Sequence, residues 1–493
     1  MNKKETQTSS FTLTLAVERN ISDYSALDKY FELSRRFYNA ILGETLKRFN
    51  LMRESKMYQN ARKLSKSKAK AMEFRRIEEK FKFSQYSLDK FMTTLRINEY
   101  KSLGSHITGK LQKRAFEAVD DLRFGKAKRV NFIRYGEMTS IEGKDNKQGL
   151  RYRNGVVEFK KLKLPVIIKA KDTYVQMALE SRIKYCRLLK KQIGNNIRYY
   201  VQLILEGIPP TKLDKEGNIK HKLGIGEVGV DIGTSTVAFV SNKVVKLKEL
   251  AEGINNIENI KTKLSRKLDR QRRANNSNKY NENGTINTHN RDKWIKSKNY
   301  IKTQNKLKNI QRKLACQRKQ SHEIDANYIL SLGNIVKVEL MQFQGLQKRA
   351  KNTTINAKTG KFNKKKRFGK SLSNKAPAML LEIINRKLKY NGLWLFKVNT
   401  YKVKASQYNP LTGEYNKKEL KDRWNKNIEI QRDLLSALII KNVILDEDLK
   451  MDTIDKEKLL NEFDGFKELH DKEINRLKEL KLNGVKLLGS MGI

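Results

Sequence analysis

Three carboxylates stand where the hydrophobic pattern calls for something else. Asp231 interrupts the β-branched run GEVGVDIGTSTVAFV, and Gly233, Thr234 and Ser235 follow it, small residues that let a phosphate or a metal approach the backbone. Glu339 ends the apolar strand NIVKVE. Asp433 lies early in EIQRDLLSALII, beside Leu434, Leu435, Leu438 and Ile439, which read as buried. An unpaired carboxylate taken out of water costs on the order of several kcal/mol. One such acid is usually a helix cap or a paired core residue. Three of them, in strand, strand and helix contexts, are better explained by a shared cation. Hard oxygen ligands suit Mg²⁺ or Mn²⁺. Two such ions can activate a water and stabilise the leaving oxygen of a phosphodiester.

The elements that must carry these acids follow from periodicity. Residues 10–17, SFTLTLAV, alternate like a strand, and from about Asp23 the apolar spacing turns helical. Very basic helical segments continue to about Gly125. From Lys128 to Leu205 short β-branched and aromatic runs alternate with turns, which predicts a small barrel or curled sheet. Residues 211–223 read as a linker. A strand pair follows, then long helices over 256–320, the strand at Glu339, a helix at PAMLLEIINRKLKYNG, a strand at LWLFKVN and the helix of Asp433. The segment 443–493 is helical and nearly charge-balanced.

The 493 residues exceed one ordinary core, and 38% of them are hydrophobic. Lys plus Arg number 105 against 53 Asp plus Glu, a formal charge of +52. A compact chain of that charge repels itself unless a polyanion neutralises it, which points to nucleic acid. The two cysteines, Cys186 and Cys316, are far apart. They rule out a disulfide framework and a four-cysteine zinc ribbon, and fit a reducing cytoplasm. The first twenty residues carry too short an apolar stretch for a signal peptide, and no run approaches a membrane span. The expectation is a soluble, cytoplasmic, prokaryotic protein. The five histidines, His106, His221, His289, His322 and His470, show no metal spacing and read as surface or incidental. No Walker loop, dinucleotide loop or Ser-His-Asp order stands out.

VGVDIGTSTVAF, IVKVELMQFQGLQKRA and IQRDLLSAL resemble the three split motifs of a RuvC nuclease. The flavour is that of TnpB, the transposon-encoded RNA-guided nuclease, and of the miniature type V CRISPR effectors. RFGKSLSNKAPAMLLEIINRKLKYNGLWLFKVNTYKVKASQY, KLDRQRRANN and KKELKDRWN are similar to members of that group. The likeness covers 224–442 by motif and the N-terminal half by layout. It implies a mixed α/β fold: an RNase H-like RuvC domain over 224–442, preceded by a wedge-like β-barrel domain. The barrel would take its first strand from 1–22 and the rest from 126–210, with a helical recognition insertion at 23–125. It also implies catalytic, metal-binding roles for Asp231, Glu339 and Asp433. Arg423, in LKDRWN, would stabilise phosphate charge, although a structural role on a helix is as good a reading. The family's four-cysteine zinc ribbon is missing. SQYNPLTGEYNKKELKDRW stands in its place, so a metal-free hairpin at about 400–428 is expected and no zinc.

Residues 261–320 hold nineteen Lys and Arg against Asp269, Glu282 and Asp292, interleaved with Tyr280, Trp294 and Tyr300. Helices of this kind can track phosphates and stack an aromatic on an exposed base. Lys267, Arg270, Arg272, Arg273, Lys296 and Arg312, with Lys365 and Arg367 in the basic segment NAKTGKFNKKKRFGKS, are the nucleic-acid candidates. Trp294 reads as a core anchor of the helix pair. No long-site reading module is evident, which fits delegation of sequence to a guide RNA. The expected partners are guide RNA and target DNA, with a homodimer left open. Two alternatives stand beside an RNA-guided DNA endonuclease: an RNA-guided repressor with an idle nuclease, and a guide-free RuvC-type nuclease selective for DNA structure.

Overall fold

The computed structural model describes residues 9–493 apart from 340, 349–351, 353, 358–359, 361–362, 364–367, 417–418, 420–421, 426 and 445–450. The chain divides into two compact units, Met1–Thr211 and Lys212–Ile493.

In the first unit, β1 (Ser10–Val17) buries Phe11, Leu13, Leu15 and Val17 on alternate positions. Asn20 then caps α1 (Ile21–Glu54), its side chain accepting from the Ser22 amide at 3.0 Å. The helical layer continues with α2 (Lys56–Lys63), α3 (Lys68–Lys80), α4 (Asp89–Glu99) and α5 (Ser105–Arg123). The chain returns to β through β2 (Ser140–Glu142), β3 (Leu150–Arg153), β4 (Val156–Phe159) and β5 (Leu162–Ile167). A short α6 (Thr173–Leu179) precedes the long hairpin of β6 (Ile183–Ile193) and β7 (Asn196–Glu206), turned at Gly194 with φ +62°. The sheet order is β2-β6-β7-β1-β5-β4-β3. β1 pairs with β7 from Ser10 to Ala16 but with β5 only at Ala16 and Val17, so the sheet curls sharply there. Among the described residues β2 and β3 do not close on each other. The expected barrel is therefore an open, curled half-barrel, with α1 and α5 filling its concave core through Phe31, Phe37, Ile41, Leu111 and Ala115.

In the second unit the expected linker makes a small turn of its own. Leu213 bridges Ile219, and the Asp214 carboxylate accepts from the Glu216 and Asn218 amides, both at 2.9 Å. A meander of β8 (Glu227–Ile232), β9 (Thr236–Val240) and β10 (Val245–Glu249) follows. The long pair α7 (Asn255–Ala274) and α8 (Lys298–Leu332) leads to β11 (Ile335–Glu339). Next come α9 (Phe343–Leu346), α10 (Gly369–Lys375), α11 (Pro377–Tyr390) and β12 (Phe396–Val398). The sheet order is β10-β9-β8-β11-β12, with β11 parallel to both β8 and β12. After α12 (Thr400–Val403), a bridge between Tyr408 and Tyr415 closes the Asn409–Gly413 turn. A short hairpin, β13 (Trp424–Asn425) and β14 (Ile430–Gln431), runs straight into α13 (Arg432–Lys441). The chain ends in β15 (Val443–Ile444), β16 (Thr453–Ile454), α14 (Lys456–Asn461) and α15 (Phe463–Leu482).

Helices cover both faces of this sheet. Val228, Val230, Ile232, Val336 and Val338 pack against α8 and α11. Ala238, Val240 and Leu247 share the opposite core with α13 and with Phe466, Ile474 and Leu477 of α15. The segment after Asn442, read from sequence only as a charge-balanced helical tail, is thus part of the packed unit.

Candidate functional site

Pairing register explains where the first two acids stand. Val338 of β11 lies opposite Val230 of β8 in the parallel ladder. The next residues along, Glu339 and Asp231, therefore end neighbouring strands side by side, with backbones about 4.8 Å apart. Alternation decides the face. Val228, Val230 and Ile232 point to the α8–α11 core, so Gly229 and Asp231 point the other way, as do Lys337 and Glu339.

The third acid arrives on a helix laid against that face. A Cβ on Gly229 would fall 2.0 Å from the Ala437 carbonyl oxygen and 2.5 Å from the Lys441 amide nitrogen, so only glycine lets α13 lie this close to β8. From Gly229 to Asp231 the strand climbs roughly 6.6 Å. From Ala437 back to Asp433 the helix runs roughly 6 Å in the same direction. α13 is antiparallel to β8, and its N-terminal turn brings Asp433 to Asp231.

The short hairpin supplies cations. Its register, Trp424 opposite Gln431, with the Arg432 amide donating to the Arg423 carbonyl at 2.8 Å, folds Arg423 back onto the helix start. Arg423 Nη1 lies 3.8 Å from Asp433 Oδ1, and Arg432 Nη2 lies 3.5 Å from the same oxygen. Arg432 also donates to the Asp422 carbonyl at 3.0 Å, which pins it. Arg432 was not among the sequence candidates. Its adjacency to Asp433 hides it, because successive helical residues point about 100° apart and only the loop carbonyls turn it back.

Burial, then the neighbouring Glu339 and Asp433 carboxylates, push the Asp231 carboxyl well above the usual carboxylate range, against the pull of Arg432 and Arg423. Burial alone pushes Glu339 up. Asp231 thus feels the other two as like charges in a poorly solvated place. Their donor chemistry, all carboxylate oxygen, fits a hard divalent cation, which would remove that repulsion. Among the described residues no group of three or more His, Cys, Asp or Glu stands ready as a metal shell. Asp231, Glu339 and Asp433 are electrostatic neighbours and not a preformed shell.

The basic helices form a separate surface. α7 buries none of its residues and rests on α8. Lys267, Arg270, Arg273 and Lys296 are exposed, and Arg272 and Arg312 are half-buried. Arg272 and Arg273 grip Asp269 at 2.6 and 3.0 Å, so part of their charge is already used within the helix. Arg312 donates to Asn309 Oδ1 at 3.0 Å. Trp294 departs from expectation. It is 40% exposed, edge-on to Tyr280, with Arg272 and Lys279 against its ring. Lys365 and Arg367 lie outside the described residues.

Two of the histidines are not incidental. His322 and His470 are fully buried. His470 Nε2 accepts from the Gln431 amide at 3.0 Å while Nδ1 faces Asp471 at 2.8 Å, and burial holds its pKa below the ordinary histidine value. A neutral imidazole offers an acceptor on one side and a donor on the other, which suits a buried backbone amide.

No protein-family model matches the chain, and no curated protein matches it. Solved structures do. A Cas12f1–sgRNA–target DNA complex is similar at a TM-score of 0.39 and 12% identity, over 90% of this chain and 100% of that one. A CRISPR-Cas12f ternary complex is similar at 0.25 and 13%, over 88% of this chain and 86% of that one. Both belong to the miniature type V group that the three motifs resemble. At these TM-scores the residues of the site, not the overlay, carry the functional reading. Among the described residues no helix is long and apolar enough to cross a membrane.

Proposed function

We propose that this chain is an RNA-guided, divalent-metal-dependent DNA endonuclease that hydrolyses phosphodiester bonds at a three-carboxylate, RuvC-type site. The observation that supports it most is that Asp231 and Glu339 stand on adjacent strands in register, with α13 bringing Asp433 near enough for Asp231 to feel its charge. Asp231, Glu339 and Asp433 would hold Mg²⁺ or Mn²⁺, which when bound supplies Lewis acidity toward the phosphodiester. The residues around them have separate tasks. Gly233 turns the chain tightly after β8, its amide donating to the Thr236 carbonyl at 2.9 Å. Arg423, 28% exposed, would meet phosphate charge from its place beside Asp433. The exposed cations of α7 and its loop would hold the backbone of a guide–target duplex by charge and shape.

The test is direct. Protein co-expressed with its RNA should cut DNA with Mg²⁺ and stop with chelator. Asp231→Ala should abolish cutting and leave DNA binding intact. Cutting that survives Asp231→Ala sinks the assignment. Unimpaired cutting of DNA junctions by RNA-free protein would transfer it to a guide-free nuclease.

A further inference from the structure

The hairpin that presents Arg423 and starts the Asp433 helix is too short to hold itself. Among the described residues β13 and β14 share two residue pairs. Its support comes from Leu488–Ile493. The Trp424 indole donates to the Gly492 carbonyl at 2.8 Å. Gln431, fully buried, uses both ends of its amide: its oxygen accepts from the Leu434 amide at 2.9 Å and caps α13, and its nitrogen donates to the Met491 carbonyl at 3.1 Å. Gly492 adopts φ +74°, and a Cβ there would fall 2.5 Å from Arg423 Cβ. Lys481 Nζ donates to the Ile493 carbonyl at 2.9 Å and ties the segment to α15. Met491 is buried in the same core as α13.

We infer that Leu488–Ile493 is a positioning brace for the catalytic arginine and the third acid. Gly492 sets the approach of Arg423, and the Met491 carbonyl fixes the Gln431 cap from which Asp433 projects. None of these residues touches the reacting atoms. The inference rests on the nuclease reading above, but the brace can also be read without cutting.

The experiment uses the full chain with its co-expressed RNA. It measures kcat and KM on a labelled target duplex, and amide hydrogen exchange over Gln431–Leu434 without substrate. Gly492→Val should lower kcat about tenfold or more, as small misplacements near a reacting centre do. It should leave KM within about twofold and speed exchange. In an Arg423→Ala background part of its kcat cost should vanish, because the displaced guanidinium is gone, while the share carried through Asp433 remains, since alanine keeps the Cβ that Gly492→Val would meet. Gln431→Glu keeps an acceptor for Leu434 but loses the donor to Met491, and should give a milder loss of the same kind. Val201→Ala, a core truncation on β7 in the first unit, should lower Tm without moving kcat or exchange at 431–434. The brace is overturned if Gly492→Val and Gln431→Glu leave kcat and exchange unchanged, or if the Gly492 and Arg423 effects simply add. If wild type does not cut yet both substitutions speed exchange, the brace stands and the nuclease reading falls.

Discussion

One face of the five-stranded sheet buries charge twice, two residues apart along β11, and the two places are built oppositely. At Lys337 every charge is answered. Its ammonium donates to the Lys441 and Val443 carbonyls at 2.7 and 2.8 Å and lies 3.2 Å from Glu227, which Lys458 also meets at 2.7 Å. At Asp231 and Glu339, two like charges stand side by side and a third is brought in by α13. A protein that can compensate a buried lysine so fully could have done the same for an aspartate. The contrast sets a compensated charge, which lowers the energy of the fold, beside one that on the proposed reading is held for a ligand and raises that energy until something binds.

Substitution at each place should break in a different quantity. Asp231→Asn removes repulsion and keeps shape, so cutting should fall about a thousandfold or more while Tm holds or rises. Cutting assays beside thermal melts read both. Lys337→Met takes the ammonium donor from two carbonyls and leaves Glu227 to Lys458 alone, so stability should drop by about 1–3 kcal/mol in denaturant titration, with the activity of the folded fraction retained. Equal losses of activity at both positions would erase the distinction.

The two arginines sharpen it further. Arg423→Ala should cost about ten- to a hundredfold in cutting with little change in Tm. Arg432→Ala, which releases the Asp422 carbonyl, should lower Tm as well.

Glu227 supplies a pH test of the compensated end. Burial pushes its carboxyl up, but Lys458 and Lys337 outweigh that and hold it below the ordinary value. A depressed carboxylate contributes stability above its unfolded pKa and loses it as pH falls through the folded one. Unfolding free energy of the wild type should therefore decline below about pH 4.5, and Glu227→Gln should flatten that decline. The smallest effect belongs to the basic helices. Removing the exposed charges Lys267 and Arg270 together should weaken nucleic-acid binding alike for all sequences and reduce the salt slope by about 2.

Much of the candidate site was legible because chemistry leaves a mark on pattern. Asp231 and Glu339 break hydrophobic runs that would otherwise be uniform, and the run after Asp433 declares a buried helix. Strands β8, β9 and β11 and helices α11 and α13 could be placed from periodicity alone. Other features left no such mark. The open edge of the half-barrel depends on which strands fail to pair, and alternation says only that a strand has two faces. Trp294 looked like core because its composition is apolar, yet exposure is decided by what lies opposite. His470, Gln431 and Gly492 are ordinary residues in sequence. Their importance comes from backbone groups dozens of positions away.

What the amino-acid order settled on its own is local: which residues repeat at strand or helix spacing, which acids are out of place, and how far basic groups exceed acidic ones. Those properties are fixed by neighbours a few positions apart. What the tertiary structure decided is register and contact. Val338 had to meet Val230 for Glu339 to stand beside Asp231, Gly229 had to admit α13 for Asp433 to reach them, and the last residues of the chain had to return under the hairpin. These pairings join segments separated by tens to hundreds of residues. They are chosen by burial and hydrogen-bond satisfaction summed over the whole unit, a quantity that no local stretch of sequence contains.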